Sequence, residues 1–347
     1  MRRRPKILFV ATDLSTGGGV NKVIRDLAVL FRERLGADVS VVNARSDKPS
    51  SYPFPADIAV QLHPRRSLFS YFRLLFGLRQ ARPDIVIGPW TQDNILVTLA
   101  FLFTRTRTVL VEHSSWHFHS PAIRLLRRIL YPLASAVVVL NRHDLDHYRQ
   151  YLGNVRLIPD PIDVPATADQ REKLIIAVGH LEPLKNFEDA IRAMAASRLE
   201  EQAWSMTIIG AGSQEQHLRQ LIAELGLSST QIHPPDDLAS WYARSSLLVV
   251  PSRIESFSLV LAEAMSAGVI PIAYACDGPA FILEDFPENL IALGNVQQLA
   301  ERLAYFAGKP DLETLRRQLE ASVEARFSPE IVTGQWRELI EALLAAH

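Results

Sequence analysis

The sequence predicts an α/β protein built on two parallel sheets. Three observations carry this expectation. Short apolar runs alternate with longer amphipathic segments along the whole chain, a proline-rich break interrupts them near the middle, and 347 residues exceed what one hydrophobic core normally serves. Parallel strands need long crossovers, and a helix spans the return distance with its own backbone groups satisfied.

In the first half the candidate strands run from Lys6 to Ala11, Val39 to Asn43, Ile58 to Gln61, Ile85 to Gly88, Thr108 to Glu112 and Ala136 to Leu140. Candidate helices lie between them, from Gly19 to Leu35, Ser67 to Ala81, Asn94 to Phe103, Ile123 to Tyr131 and Arg142 to Tyr151. A new strand at Leu174 to Gly179 restarts the alternation, which continues through Ser205 to Ile209, Gln231 to His233, Ser246 to Val250, Ile270 to Tyr274 and Asn289 to Ala292. That second series forms its own sheet. Between the two series, the three prolines of Ile158-Pro159-Asp160-Pro161-Ile162-Asp163-Val164-Pro165 lack backbone donors, so the segment reads as a linker. A second break at Phe327-Ser328-Pro329 precedes a last helix, expected to return to the first domain. The expected organisation is a first domain over 1–164, a second over 165–327 and a C-terminal helix over 328–347.

Composition excludes several classes. A single cysteine, Cys276, rules out a secreted disulfide scaffold and fits a reducing compartment. The longest largely apolar run, Ile95 to Phe103, is far shorter than the roughly 20 residues of a bilayer-spanning helix. The net charge of −1 conceals an asymmetry: residues 1–164 carry 23 Lys+Arg against 13 Asp+Glu, the remainder 14 against 25. A basic first half calls for an anionic partner. No zinc-finger spacing, helix-turn-helix pattern or aromatic-basic interleaving points to nucleic acid, which leaves a membrane surface or phosphorylated substrates.

Two stretches carry candidate chemistry. Gly17-Gly18-Gly19 follows the first strand and opens a helix, where missing Cβ atoms let amides approach a phosphate at the positive end of the helix dipole. Glycine triplets also make plain turns, and the spacing is not the dinucleotide fingerprint G-x-G-x-x-G, which disfavours an oxidoreductase. The richer stretch runs from Val249 to Gly268. A strand ends at Pro251, a loop holds Glu255, Ser258 stands at an N-cap position, and Gly268 terminates the helix. Amides near Ser258 and Leu259 can hold a diphosphate, Glu263 can accept from a ribose, and Glu255 would face a sugar beyond the phosphates. The plainer alternative is that both acids simply suit a helix amino terminus.

The glutamate, seven residues, second glutamate pattern, with P-S at the strand end and E-A-M-x-x-G at the helix end, resembles the signature of the family four retaining glycosyltransferases, which share the GT-B fold of two Rossmann-like parallel-sheet domains facing across a cleft. The similarity extends to the first-strand glycine loop, V-G-H-L-E-P-L-K-N at Val178 to Asn186, I-I-G-A-G at Ile208 to Gly212 and the closing F-S-P-E helix. The resemblance implies that Glu263 binds the ribose, Glu255 the transferring sugar, and Lys185 the diphosphate, which Gly18 and Gly19 approach from the other domain. It implies that His113, in V-E-H-S-S, is the active-site histidine. Three departures stand out. His180 occupies the place of the usual arginine and joins the candidate phosphate contacts, Ser258 that of the usual glycine, and Ile232-His233-Pro234-Pro235 replaces the usual F-x-G where the base should lie.

The implied reaction is retaining transfer of a hexose or N-acetylhexosamine from a UDP-sugar to a saccharide acceptor, such as a lipid-linked oligosaccharide, O-antigen, capsule or lipopolysaccharide. It proceeds by a front-face, oxocarbenium-like route with neither a cofactor nor a metal. The only D-x-D, Asp144-Leu145-Asp146, sits on an expected helix and reads as a solvated face. Ala275-Cys276-Asp277-Gly278-Pro279 resembles relatives that use UDP-N-acetylgalactosamine, UDP-galactose or UDP-glucose. The stretch from Arg65 to Arg82, with Phe69, Phe72, Leu75 and Phe76 at helical spacing, reads either as an interfacial helix or as an ordinary core helix, and Arg124, Arg127 and Arg128 form a second basic cluster. With the lipid-linked acceptors of many relatives, this gives an expectation of a cytoplasmic protein, peripheral on the inner face of an anionic membrane. Two alternatives remain: a GT-B nucleotide-sugar epimerase, and a catalytically degenerate membrane-associated partner subunit.

Overall fold

The computed structural model describes residues 4–63, 68–163 and 171–345. It divides into two compact units: Met1–Pro161 together with Pro329–His347, and Ile162–Ser328. Each is a parallel sheet flanked by helices.

The first sheet holds β1 (Lys6–Ala11), β2 (Asp38–Asn43), β3 (Ala59–Leu62), β4 (Ile85–Gly88), β5 (Arg107–Glu112), β6 (Ala136–Val139) and β7 (Val155–Leu157), in the order β3-β2-β1-β4-β5-β6-β7. Val86, Leu110, Val137 and Val139 are wholly buried because helices cover the sheet, so these strands read as continuous apolar runs. The strand β7 was not anticipated: V-R-L is too short to show a period. The C-terminal helix Pro329–Ala345 packs on the helix Gly19–Leu35, with the rings of Trp336 and Phe31 at 5.2 Å and Arg337 donating to the Arg34 carbonyl at 3.0 Å.

The second sheet holds β8 (Leu174–Val178), β9 (Ser205–Ile209), β10 (Thr230–His233), β11 (Leu247–Val250), β12 (Ile270–Tyr274) and β13 (Leu290–Ile291), in the order β10-β9-β8-β11-β12-β13. Its core includes Ala177, Leu181, Phe187, Ile191 and Ile208. No helix among the described residues is long and apolar enough to cross a membrane.

Three expectations change here. Of the helix expected from Ser67 to Ala81, the described part is Leu68–Gln80, where Leu74 and Leu78 are core residues and Phe76 is exposed; Arg65 to Ser67 and the side chains of Phe69, Phe72 and Leu75 lie outside the described residues. Arg127 is no surface cation. It is 1% exposed and pairs with the buried Glu112, since the charge of one offsets the burial of the other. Asp144 is fully buried rather than solvated, because at the start of the helix Arg142–Arg149 its Oδ2 receives a hydrogen bond from Asn141 Nδ2 at 2.9 Å while its amide donates to Asn141 Oδ1 at 2.8 Å.

Candidate functional site

In an open parallel sheet, ligands collect beyond the carboxyl ends of the strands where the strand order reverses. In the second unit that point lies between β8 and β11. The loop after β8 carries His180 and Lys185, and the loop after β11 carries Glu255 and Ser258. The Arg253 amide donates to the Leu184 carbonyl at 3.0 Å, which fastens one loop to the other. Gly210, after β9, packs against the same turn so closely that a Cβ would overlap the Gly179 carbonyl oxygen.

Lys185 ends a short 3-10 turn, Pro183–Lys185, before Asn186 turns the chain through φ 54° into the helix Phe187–Ser197. Its Nζ donates to Glu255 Oε1 at 2.5 Å, and Ser252 Oγ donates to the same oxygen at 3.0 Å. An ammonium has three N–H donors and Glu255 takes one, so the lysine is held in place with capacity for a second anion. The Glu255 loop is itself pinned: the Gly278 amide donates to the Glu255 carbonyl at 2.8 Å.

Ser258 is the N-cap residue of the helix Leu259–Ser266, as the sequence suggested, but its hydroxyl makes no capping bond. The backbone explains its place. At φ 93° and ψ 77° the residue lies where glycine is at ease and an L side chain is strained. This conformation turns the chain so that the helix starts abruptly, and its first amides have no carbonyl partner within the helix. Glu263, 9% exposed, lies in the second turn, where the Tyr242 hydroxyl donates to Oε2 at 3.1 Å. Burial, with the neighbouring Glu263, drives the Tyr242 pKa well above its ordinary value, so the phenol remains a donor. His180 is exposed at the edge of this group. Burial, then Glu255 and Asp277, pushes the Cys276 thiol up to about 12, which leaves the lone cysteine unreactive.

In the first unit the corresponding point lies between β1 and β4. Gly18 caps the helix Gly19–Leu35 in an extended conformation, and nothing lies within 4 Å of where a Gly17 Cβ would be. Asn21 anchors the loop before it, donating to the carbonyls of Asp13 at 2.9 Å and Thr16 at 2.8 Å. Asp93 lies buried nearby with Thr12 donating to it, and burial raises its carboxyl to about 7. His113 follows β5. Its Nδ1 meets the Pro89 carbonyl at 2.7 Å and its Nε2 meets Asp160 Oδ1 at 3.1 Å. Both neighbours are acceptors, so the pair of contacts is satisfied only by an imidazolium. Burial opposes that charge, but Asp160, Pro89 and Glu112 outweigh it and the pKa is raised.

The fold thus brings Lys185 and Glu255 into contact and sets Ser258, Leu259 and Glu263 on the turn and helix that follow. Gly18, Gly19 and His113 belong to the first unit. Sequence reasoning missed Ser252, Tyr242 and Asp160. The first two are partners supplied by packing; Asp160 stood in the proline-rich segment, where its type carried no periodic signal.

These features define a class. The glycosyl transferases group 1 model matches residues 161–323 and the glycosyltransferase family 4 model residues 17–165, and the chain belongs to the group 1 glycosyltransferases of family 4 type, with the GT-B fold. It is similar to the amylovoran biosynthesis glycosyltransferase AmsD of Erwinia amylovora, 25% identical over 96% of this chain and 99% of that one. It is 23% identical, over 96% of this chain and 98% of the relative, to the Campylobacter jejuni GalNAc-α-(1→4)-GalNAc-α-(1→3)-diNAcBac-PP-undecaprenol α-1,4-N-acetyl-D-galactosaminyltransferase. Among solved structures, Anabaena HepE in complex with UDP superposes with a TM-score of 0.79 at 19% identity, covering 97% of this chain and all of that one.

Proposed function

We propose that this chain is a retaining transferase that moves a hexose or N-acetylhexosamine from a UDP-sugar to a saccharide acceptor, lipid-linked or part of an O-antigen, capsule or lipopolysaccharide. The observation that carries the donor side is the Lys185–Glu255 contact at the strand-order reversal of the second sheet, beside the free amides that follow Ser258. An ammonium and a helix amino terminus together favour a diphosphate. Glu255, buried but for 15% of its side chain, supplies the acceptor oxygens a sugar hydroxyl needs, and Glu263 the carboxylate for a ribose. The undecaprenyl-linked acceptor in the name of the Campylobacter relative supports a lipid-linked acceptor here, and the UDP in HepE supports a uridine donor.

In this reading the sugar–phosphate bond lengthens first, and negative charge grows on the leaving diphosphate. Lys185 and the Ser258 and Leu259 amides of the second unit meet that charge without reorganising, with His180 on the same loop as Lys185. The acceptor hydroxyl then adds on the same face and loses its proton to the departing phosphate oxygen, so configuration is retained. Charge stabilisation by these groups needs no cofactor and no metal, so activity is expected to persist in EDTA; loss restored by magnesium would overturn this part. In the same reading the protein works at the cytoplasmic face of an anionic membrane, which the basic balance of residues 1–164 supports.

The test of the donor assignment is thermal unfolding across a panel of nucleotides and nucleotide-sugars. UDP and UDP-hexoses are expected to raise the melting temperature, since a ligand that binds only the folded state stabilises it. A panel in which only guanine or adenine nucleotides act, or none do, would refute it.

A further inference from the structure

The carboxyl ends of β8, β9 and β10 form one continuous shelf in the second unit. The Gly179 amide donates to the Ile209 carbonyl at 3.0 Å, and the Gly210 amide to the His233 carbonyl at 2.9 Å. The loop after β8, which carries Lys185, is thereby joined through β9 to His233 at the end of β10. A second connection starts at Glu263. Its Oε2 receives the Tyr242 hydroxyl at 3.1 Å, and on the same helix, Leu238–Arg244, the neighbouring Trp241 packs its ring against the His233 imidazole with centroids 5.1 Å apart. Trp241 is buried and donates from Nε1 to Asp236 Oδ1 at 2.7 Å, so this support is fixed. A nucleotide whose diphosphate meets Lys185 and whose ribose meets Glu263 has its base on the side where the two connections join, at His233.

The backbone there has little to offer a base. Pro234 and Pro235 carry no N–H, the His233 carbonyl already receives Gly210, and the Pro234 carbonyl receives the His233 ring. The imidazole is what remains. Its Nδ1 lies 2.7 Å from the Pro234 carbonyl oxygen and 3.6 Å from Asp236 Oδ2, both acceptors, so Nδ1 bears the proton. In the neutral ring Nε2 is then a bare acceptor, and among the described residues it has no hydrogen-bond partner. The side chain is 36% exposed. Uracil presents an N–H at N3, where cytosine presents a bare nitrogen. An acceptor fixed opposite that position accepts from the first base and repels the second. We propose that His233 reads the base of the donor, its Nε2 accepting from uracil N3–H. This assignment rests on the uridine-donor reading above and names the residue that selects the base.

The charged groups around the ring are Asp236 on its own loop, Arg244 at 4.8 Å over Trp241, and Arg219 of the helix Glu215–Glu224, which donates to the Ile232 carbonyl at 3.3 Å and pairs with Glu215. Acid adds a proton at Nε2 and turns the acceptor into a donor, which suits cytosine instead. The full chain is to be titrated calorimetrically with UDP and with CDP at about pH 8 and about pH 5.5. UDP is expected to bind at least about tenfold more tightly than CDP at the higher pH, and the ratio to shrink at the lower; the diphosphate, common to both, cancels. His233→Ala is expected to weaken UDP binding about tenfold, to bring the two nucleotides near parity and to remove the pH dependence of their ratio. His233→Gln, whose amide offers both an acceptor and a donor, should recover UDP affinity without that pH dependence, and it serves alone if His233→Ala melts unfolded. A purely structural histidine would alter melting and leave the ratio of UDP to CDP as in the parent. That result, or a parent ratio indifferent to pH, would overturn the proposal while the uridine reading stood. A parent that bound guanosine or adenosine diphosphate in place of UDP would sink both.

Discussion

Replacing Ser258 by glycine tests whether the backbone, rather than the hydroxyl, is what this position supplies. The serine adopts φ 93° and ψ 77° and makes no capping bond, so the substitution removes strain and loses no hydrogen bond to the helix. An L residue so placed costs about 1–3 kcal/mol. Against this, glycine gives the unfolded chain extra freedom worth about 0.4–1 kcal/mol. The difference is a net stabilisation of about 1 kcal/mol, which for a domain of this size raises the unfolding midpoint by about 2–4 °C. Ser258→Ala keeps the strain and should leave the midpoint nearly unchanged. Gly278→Ala serves as a contrast in the helix Asp277–Ile282, which packs against that loop: its Cβ would overlap the Phe257 carbonyl, and the midpoint should fall. Circular dichroism or calorimetry reads all three. If Ser258→Gly melts below the parent while Ser258→Ala does not, the glycine-like geometry is wrong and the helix start must be held by something else.

The remaining expectations concern the site and its titrating groups. Lys185→Ala should reduce turnover by about 10²–10³-fold, as losing one preorganised donor does elsewhere, while the partly exposed ion pair costs less than about 1 kcal/mol of stability; unchanged turnover would remove the lysine from its role. Glu263→Ala should chiefly weaken UDP binding in calorimetry, and leaving the Tyr242 hydroxyl without its acceptor should cost about 1–3 kcal/mol of stability. Because the His113 pKa is raised, the stability of its pair with Asp160 is fully present below the ordinary value near 6.5 and fades as pH rises through the folded-state value. Asp160→Asn should therefore destabilise by about 1–3 kcal/mol at pH 6 and by less at pH 9; an equal loss at both would contradict an imidazolium. Asp93 has the opposite sign: a carboxyl raised from 3.8 to about 7 penalises the folded state increasingly between those values and fully above them. Asp93→Asn should stabilise at pH 8, by up to about 4 kcal/mol, and do almost nothing at pH 4.

Much of the candidate site was legible because its signals are local. Glu255, Ser258 and Glu263 lie within a few residues of one another, and a strand end, a turn and a helix start are each marked by residue type. Lys185 is separated from Glu255 by 70 positions. Only the resemblance to a family put them together, since no periodicity spans three crossovers. The serine in a glycine position was visible as a departure, but the sequence suggested a capping hydroxyl where the structure has a strained backbone. The basic first half was also legible as a sum. Its distribution was not: Arg127, counted as a surface charge, is buried against Glu112, and the exposed cations gather at an edge no one segment contains.

The chain by itself determined the alternation of strand and helix, the break between two sheets and the residue types at each turn, because these follow from side-chain period and from the backbone limits of proline and glycine within a dozen residues. Tertiary structure alone decided which charges meet. Lys185 reaches Glu255, His113 faces two acceptors, and Lys6, Arg82, Arg105 and Arg107 share one cavity because parallel strands bring distant segments side by side. Whether a charge is paired, buried or open to a partner depends on those distances, and they are properties of the sheet order rather than of any local stretch.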